Sequence, residues 1–317
     1  MEQLKLNNGQ TIPQLGLGVF KVQDADDLKR SVAAALKEGY RHFDTAAIYH
    51  NEAWLGEALA ESDVKREDLY ITSKVWNSNR TYDETIAAFH ESLKKLQTDY
   101  LDLYLIHWPS EGYNEKWRAM EDLYNDGLIK SIGVSNFEKP HLEKLLTTAK
   151  VKPAVNQIET HPYFQQKELN KYLRSLDIAH EAWGPLGQGK SNVLNDPTLV
   201  KIAEAHNKSV AQVILRWHLQ REIIVIPKSV HAERIAQNIN VFDFTLTDEE
   251  MSLIAAIDKN QRGSGDPSTQ IPHRREAADG KAVQLAPEGA SNGSQAWKTQ
   301  RWKRVEGRGG ARTGQVA

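Results

Sequence analysis

The 317-residue chain has no cysteine. Structural disulfides and thiolate-held metals are therefore excluded. It also has no run of about 18 apolar residues, the length a membrane-crossing helix needs. The opening MEQLKLNNGQ shows no apolar stretch after its charges, so no secretory leader is expected and the cytoplasm is the default location. Excess charge is missing as well. The formal net charge is −2, which gives no general attraction to nucleic acid. Neither nucleic acid nor membrane is expected as a partner.

Composition and charge change near residue 264. Residues 264–317 hold nine Lys or Arg against five Asp or Glu, a balance of +4, which leaves −6 on residues 1–263. This stretch is rich in Gly, Ser, Ala and Arg and has no sustained apolar period. It is read as a low-complexity, basic, mostly disordered tail. Trp297 and Trp302 among its basic residues make a weak nucleic-acid signal, outweighed by the ordinary reading of a solvated tail.

Residues 1–263 are read as one domain. QLKLNNGQTIP suggests a hairpin turning at Asn7-Asn8-Gly9. Eight short apolar runs then predict strands over 15–19, 42–45, 69–74, 101–107, 129–135, 153–159, 177–183 and 223–229. Helical-period segments separate them. ADDLKRSVAAALKEG lines up Leu28, Val32 and Leu36 and ends at Gly39. Thr81 with Glu84, and Thr247 with Glu250, have capping-box spacing. Strands alternating with helices imply a parallel sheet, and eight such units imply a closed (β/α)8 TIM barrel rather than an open doubly wound sheet.

In such a barrel, function gathers at the C-terminal ends of the strands. Asp44 ends the second strand, with Tyr49 in the following loop. Lys74 ends the third and His107 the fourth. A free phenol has a pKa of about 10, too high for easy proton exchange at neutral pH. A nearby ammonium lowers it, so Lys74, held by Asp44, is expected to make Tyr49 a usable general acid. A neutral His107 can donate to a carbonyl oxygen. The set suits protonation of an oxygen on which negative charge develops, as carbonyl reduction requires. Taken singly, Asp44 reads as a helix cap, Tyr49 as packing, Lys74 as surface charge and His107 as a core histidine. Together they are a site.

Reduction needs a hydride source that no side chain supplies. No G-x-G-x-x-G follows a strand. Gly184, Gly187 and Gly189 instead follow the seventh strand, where a barrel loop suits a pyrophosphate, although a tight turn alone also explains them. Lys228, Ser229 and Arg234, after the eighth strand, suit a further phosphate such as the 2′-phosphate of NADP. Trp183 suits stacking on a nicotinamide ring, with Ser135, Asn136 and Gln157 offering hydrogen bonds to its amide. Phe20, Trp76 and Trp108 are expected to wall the carbonyl site, beside His107.

These motifs carry a resemblance. GLGVFKV, FDTAAIYHNE, TSKVWNS, YLDLYLIHWP, IGVSNF, NQIETHPY, EAWGPLGQGK, VILRWHLQ and IPKSVHAERIAQN occur in order across residues 4–263. The chain resembles the aldo-keto reductases. EAWGPLGQG with DFTLTDEE is similar to their prokaryotic branch of diketogluconate and methylglyoxal reductases. The resemblance implies NADPH-dependent reduction of small aldehydes, methylglyoxal-type dicarbonyls or keto sugar acids, without a metal, by a monomer. It implies Tyr49 as acid, Lys74 and Asp44 as its tuners, and His107 orienting the carbonyl. Leu186, Gln188, Val230, Gln237 and Asn238 lie within the matching stretches and are carried over as cofactor contacts. Two departures matter. His231 stands where the family often has a second basic residue, which weakens the preference for NADPH over NADH. Beyond Asp266-Pro267 the chain does not follow the family pattern, which puts the substrate lid in doubt. Two other readings are weaker. A nucleotide-sensing adaptor need not keep Tyr49, and a glycosidase needs a second well-aimed carboxylate beyond Asp44, with Glu159 a poor candidate.

Overall fold

The computed structural model describes residues 2–272. Among them are ten strands: β1 (Gln3–Lys5), β2 (Thr11–Pro13), β3 (Leu17–Gly18), β4 (His42–Asp44), β5 (Tyr70–Val75), β6 (Leu101–Ile106), β7 (Ile129–Ser135), β8 (Val155–Glu159), β9 (Ala179–Trp183) and β10 (Ile224–Val225). Ten helices accompany them: α1 (Ala25–Lys37), α2 (Glu52–Ala60), α3 (Tyr82–Leu96), α4 (Tyr113–Asn125), α5 (Lys139–Leu146), α6 (Lys167–Ser175), α7 (Pro197–Ala205), α8 (Val210–Gln220), α9 (Ala232–Ile239) and α10 (Asp248–Ala256).

β3 to β10 form one parallel sheet in sequence order. Its two edges meet. Leu15 bridges Val225 in parallel, Gly16 N donates to Val225 O at 2.8 Å, and Gly18 N donates to Pro227 O at 3.2 Å. The sheet is therefore the expected closed barrel, with no free edge. Gly18 is required at this seam, because a Cβ there would lie 2.7 Å from Ile226 O. The last strand is shorter than its apolar run suggests. Pro227 has no N–H to extend the ladder, so Lys228 and Ser229 lie in the loop leading to α9.

β1 and β2 form the predicted antiparallel hairpin, with Leu4 opposite Ile12 and Gly9 at φ +85°. Leu6 and Ile12 pack with Tyr70, Leu103, Leu105, Val155 and Ile224, so the hairpin plugs the N-terminal end of the barrel with apolar side chains. A larger apolar cluster lies between sheet and helices and includes Leu28, Val32, Phe89 and Leu96. Both capping boxes form, at Thr81–Glu84 and Thr247–Glu250. The site at the other end of the barrel thus stands on a rigid apolar floor.

The disordered tail expected from Ser264 falls mostly outside the described residues. Residues 264–272 are described and lie against the barrel. Ser264 donates to Glu159, and Asn77 Nδ2 donates to Pro272 O.

Candidate active site

Parallel pairing sets β4 beside β5, with Asp44 opposite Thr72, and Lys74 follows on the same face. Lys74 Nζ donates to Asp44 Oδ1 at 2.6 Å and to Thr45 O at 2.9 Å. Lys74 is 0% and Asp44 2% exposed. Burial alone would strip the ammonium of its proton. Asp44 outweighs that, and the lysine pKa ends above its usual value.

Tyr49 closes a short helical turn, Ala47–Tyr49, followed by His50 in the left-handed region at φ 57°. Asn51 fixes this loop. It is fully buried, donates to Val19 O at 2.9 Å and Val22 O at 3.2 Å, and accepts from Thr45 Oγ1 at 2.8 Å. The Lys74 ammonium lies 5.3 Å from the Tyr49 ring centre. His107 meets the Tyr49 ring edge-on at 5.7 Å. The four predicted catalytic side chains are thus neighbours.

The phenol departs from expectation in one respect. Lys74 does pull its pKa down, by charge and by hydrogen bonding, but burial pushes harder the other way, with help from Asp44. The phenol is pushed up to about 12. Tyr49 therefore holds its proton firmly at neutral pH. His107 is held well below its ordinary value by burial and by the charges of Lys74 and Lys116. It is neutral, and its buried Nδ1 has no hydrogen-bond partner among the described residues.

Aromatic rings frame the pair. Phe20 lies 5.0 Å from Tyr49 and is 40% exposed. Trp76 lies edge-on to His107 at 5.0 Å. Trp108 is buried.

The predicted nicotinamide contacts are tied to one another. Asn136, at φ 61°, donates to His107 O at 3.0 Å and accepts from Trp183 Nε1 at 2.9 Å. This anchors the Trp183 ring while leaving its face available. Ser135 Oγ donates to Gln157 O at 2.7 Å. Gln157 Nε2 donates to both Asp44 and Glu181, so its amide hydrogens are in use and its carbonyl oxygen remains for another group.

The glycine loop has Gly184, Gly187 and Gly189 at φ 61°, 74° and 70°, with Gln188 at 52°. Such left-handed positions let the chain turn tightly and leave room for a ligand to approach the backbone. Leu186 in this loop packs into the core. Lys228, Arg234 and Gln237 are exposed, and Asn238 is buried. Neither Lys228 nor Arg234 forms an ion pair with a described residue. α9 begins after His231 without a side-chain cap, while Ser229 Oγ accepts from His231 N at 3.1 Å and Val230 packs on the core. An uncapped helix start beside two unpaired cations suits a phosphate monoester. These residues fit a pyridine dinucleotide carrying an extra phosphate.

Sequence reasoning gave no role to Asn51, Lys116 or Glu181, and weighed Glu159 only as a weak second carboxylate. Lys116, on α4, is fully buried and donates to Ser110 Oγ at 2.8 Å and Trp76 O at 3.3 Å. Glu181 is fully buried in mid-strand, and a charged residue inside the run DIAHEAW was the available signal. Glu159 is a fastening. It accepts from Gly263 N at 2.6 Å, from Ser264 N at 3.0 Å and from His161 Nε2 at 3.1 Å. Lys190 of the glycine loop donates to Gly263 O at 3.0 Å, and Arg262 pairs with Glu138 at 2.7 Å. Residues 262–272 thus touch the loops after β5, β7 and β9, together with Glu159 at the end of β8, where a lid would lie.

Comparison with known proteins gives the family. The model of the Aldo/keto reductase family matches residues 14–259. The chain is 53% identical over 267 residues to the glyoxal reductase of Bacillus subtilis, covering 84% of this chain and 96% of the relative. It is 44% identical over 267 residues to a methylglyoxal reductase of Escherichia coli O157:H7, covering 83% and 96%. Among solved structures it matches an aldo-keto reductase of Bombyx mori in complex with NADP, at a TM-score of 0.78 and 40% identity, covering 82% of this chain and 94% of that one.

Proposed function

Because the chain belongs to the aldo/keto reductase family, we propose that it uses NADPH to reduce small aldehydes and dicarbonyls, of which methylglyoxal is the type, to alcohols. The observation that carries this reading is the buried Asp44–Lys74 pair set against Tyr49 and His107. The relatives named glyoxal and methylglyoxal reductase favour a small dicarbonyl over a keto sugar acid.

When bound, the nicotinamide would supply the hydride for the carbonyl carbon. His107, neutral, donates a hydrogen bond to the carbonyl oxygen and fixes its direction. As charge builds on that oxygen, Tyr49 gives up its proton to it. The phenolate left behind is stabilised by Lys74, whose charge Asp44 secures. Water then restores the phenol proton. A phenol held at about 12 is a poor donor to water and gives its proton only to an oxygen that has become strongly basic, so protonation is tied to hydride arrival. Trp183 would back the nicotinamide, the glycine loop would hold the pyrophosphate, and Lys228 with Arg234 would hold the 2′-phosphate. Phe20, Trp76 and Trp108 exclude water from the carbonyl. No described helix is long and apolar enough to cross a membrane. The reading takes the protein as a cytoplasmic monomer, which sizing by light scattering and cell fractionation would check.

Initial rates with NADPH and NADH against methylglyoxal, an aromatic aldehyde and a diketo sugar acid test the proposal. Turnover with NADPH, greatest for methylglyoxal, is expected. No turnover with any of the three would overturn it.

A further inference from the structure

Below the acid, the barrel interior holds a carboxyl group that the reduction does not use. Glu181 sits in the middle of β9 with its side chain fully buried. Its Oε2 accepts from Gln157 Nε2 at 3.1 Å, and the same nitrogen donates to Asp44 Oδ2 at 2.8 Å. Glu181 Oε1 makes no hydrogen bond among the described residues, and His42 Nε2 lies 3.7 Å from it.

His42 decides what that contact means. Its Nδ1 lies 3.2 Å from Pro13 O. A carbonyl only accepts, so Nδ1 carries the ring hydrogen. Burial holds the imidazole down to about 4, so it is neutral and Nε2 is a bare lone pair. That lone pair already receives the Thr72 hydroxyl at 3.3 Å. An ionised Oε1 would face it with like charge, whereas a proton on Oε1 would face it with attraction. The charge balance agrees. Lys74 is bound to Asp44 at 2.6 Å. A second ionised carboxyl would have to share that one ammonium, whose pull on Glu181 is weaker than burial and the charge of Asp44. The remaining ionisable neighbour, Tyr70, is kept protonated by burial.

We infer that Glu181 stands protonated in the working enzyme and is a positioning residue, fixing Gln157 beside the cofactor and leaving Lys74 wholly to Asp44 and Tyr49. Its kinetic consequence rests on the reductase reading above. Burial, and next the charge of Asp44, push the Glu181 carboxyl up to about 8. Its ionisation above that pH puts a second negative charge under the site. The oxyanion forming on the substrate is then harder to stabilise, and turnover falls. The Tyr49 phenol titrates much higher, and Lys116, which also titrates near 8, is separated from Glu181 by the variant below, in which Lys116 is unchanged.

The test compares wild type with Glu181→Gln, a neutral group of the same size. Infrared difference spectra across pH 6 to 10 read the carboxyl without turnover. We expect a protonated carboxyl band in wild type that disappears near pH 8 and is missing from the variant. In steady-state profiles, wild type should lose kcat/KM above that pH. The variant should keep kcat within a few-fold at neutral pH and stay level through the same window. A wild type lacking the band at pH 6, or a variant with the wild-type limb, would overturn the inference. Wild type inert towards every carbonyl would sink the reductase reading while the infrared result still stood.

Discussion

Two lysines are fully buried near His107, and they titrate in opposite directions. Burial acts against the charge of both. Lys74 has Asp44 at 2.6 Å, and its pKa rises. Lys116 has only a hydroxyl and a carbonyl as partners, and burial, with the charge of Arg80, drags it down to about 8. The ammonium assigned to the proposed reaction is thus the one that keeps its proton, and it does so because a carboxylate is fixed beside it. Glu159 shows a third arrangement. It is a buried carboxylate that, against the upward push of burial, is held below its usual range by His161, the Ser264 hydroxyl and the N–H of Gly263.

The comparison breaks most sharply at Lys74. Lys74→Met leaves Asp44 buried without its cation, which costs about 3–5 kcal/mol. Urea denaturation at pH 7 should show that loss, together with loss of turnover. A drop under about 1 kcal/mol would mean that the pair contributes far less than a buried pair should.

Truncation after Gln261 removes Gly263 and Ser264 from Glu159. An orphaned buried acceptor costs about 1–3 kcal/mol. The same experiment should show weaker NADPH binding, since Lys190 of the glycine loop loses Gly263 O. Unchanged stability and binding would mean that the fastening is idle.

Lys116→Met orphans no charge but takes the donor from Ser110 Oγ and Trp76 O, so its cost at pH 7 should be about 1–2 kcal/mol. Its signature lies in the pH dependence. The folded lysine titrates near 8 and the unfolded one near 10.5, so the unfolded chain binds more protons between those values. Wild-type stability therefore gains with rising pH across that window, and the variant should lack this gain. Parallel stability curves would contradict it. The smallest effect is expected from truncation after Gly265. That cut spares every Glu159 contact and removes only the Asn77–Pro272 bond and its surroundings. A cooperative thermal transition should persist.

These contrasts also explain what the sequence could reveal. The barrel was legible because eight apolar runs alternate with capped helices, and period and caps are local properties. Asp44, Tyr49, Lys74 and His107 were legible because a barrel brings strand ends together whatever their separation along the chain. The direction of the Tyr49 shift was not, because it depends on how far burial outweighs Lys74, and burial is a three-dimensional quantity. Lys116 and Glu181 were missed for a related reason. A charged residue in a helix or strand reads as solvated unless its surroundings are known. The strand expected to run to Ser229 ended at Val225 because Pro227 cannot donate. The lid was in doubt because the chain leaves the family pattern beyond Asp266-Pro267, yet Glu159, Lys190 and Asn77 hold residues 263–272 on the barrel.

The central claim is that Tyr49, kept protonated by burial and backed by Lys74, delivers the proton. Single-turnover oxidation of bound NADPH by methylglyoxal, in wild type and Tyr49→Phe, tests it most directly, with the cofactor dissociation constant measured alongside. The account predicts a loss of roughly 10²–10⁴-fold in the hydride step, as expected for removal of a general acid, with cofactor binding nearly unchanged. A variant that turned over at close to the wild-type rate would contradict it.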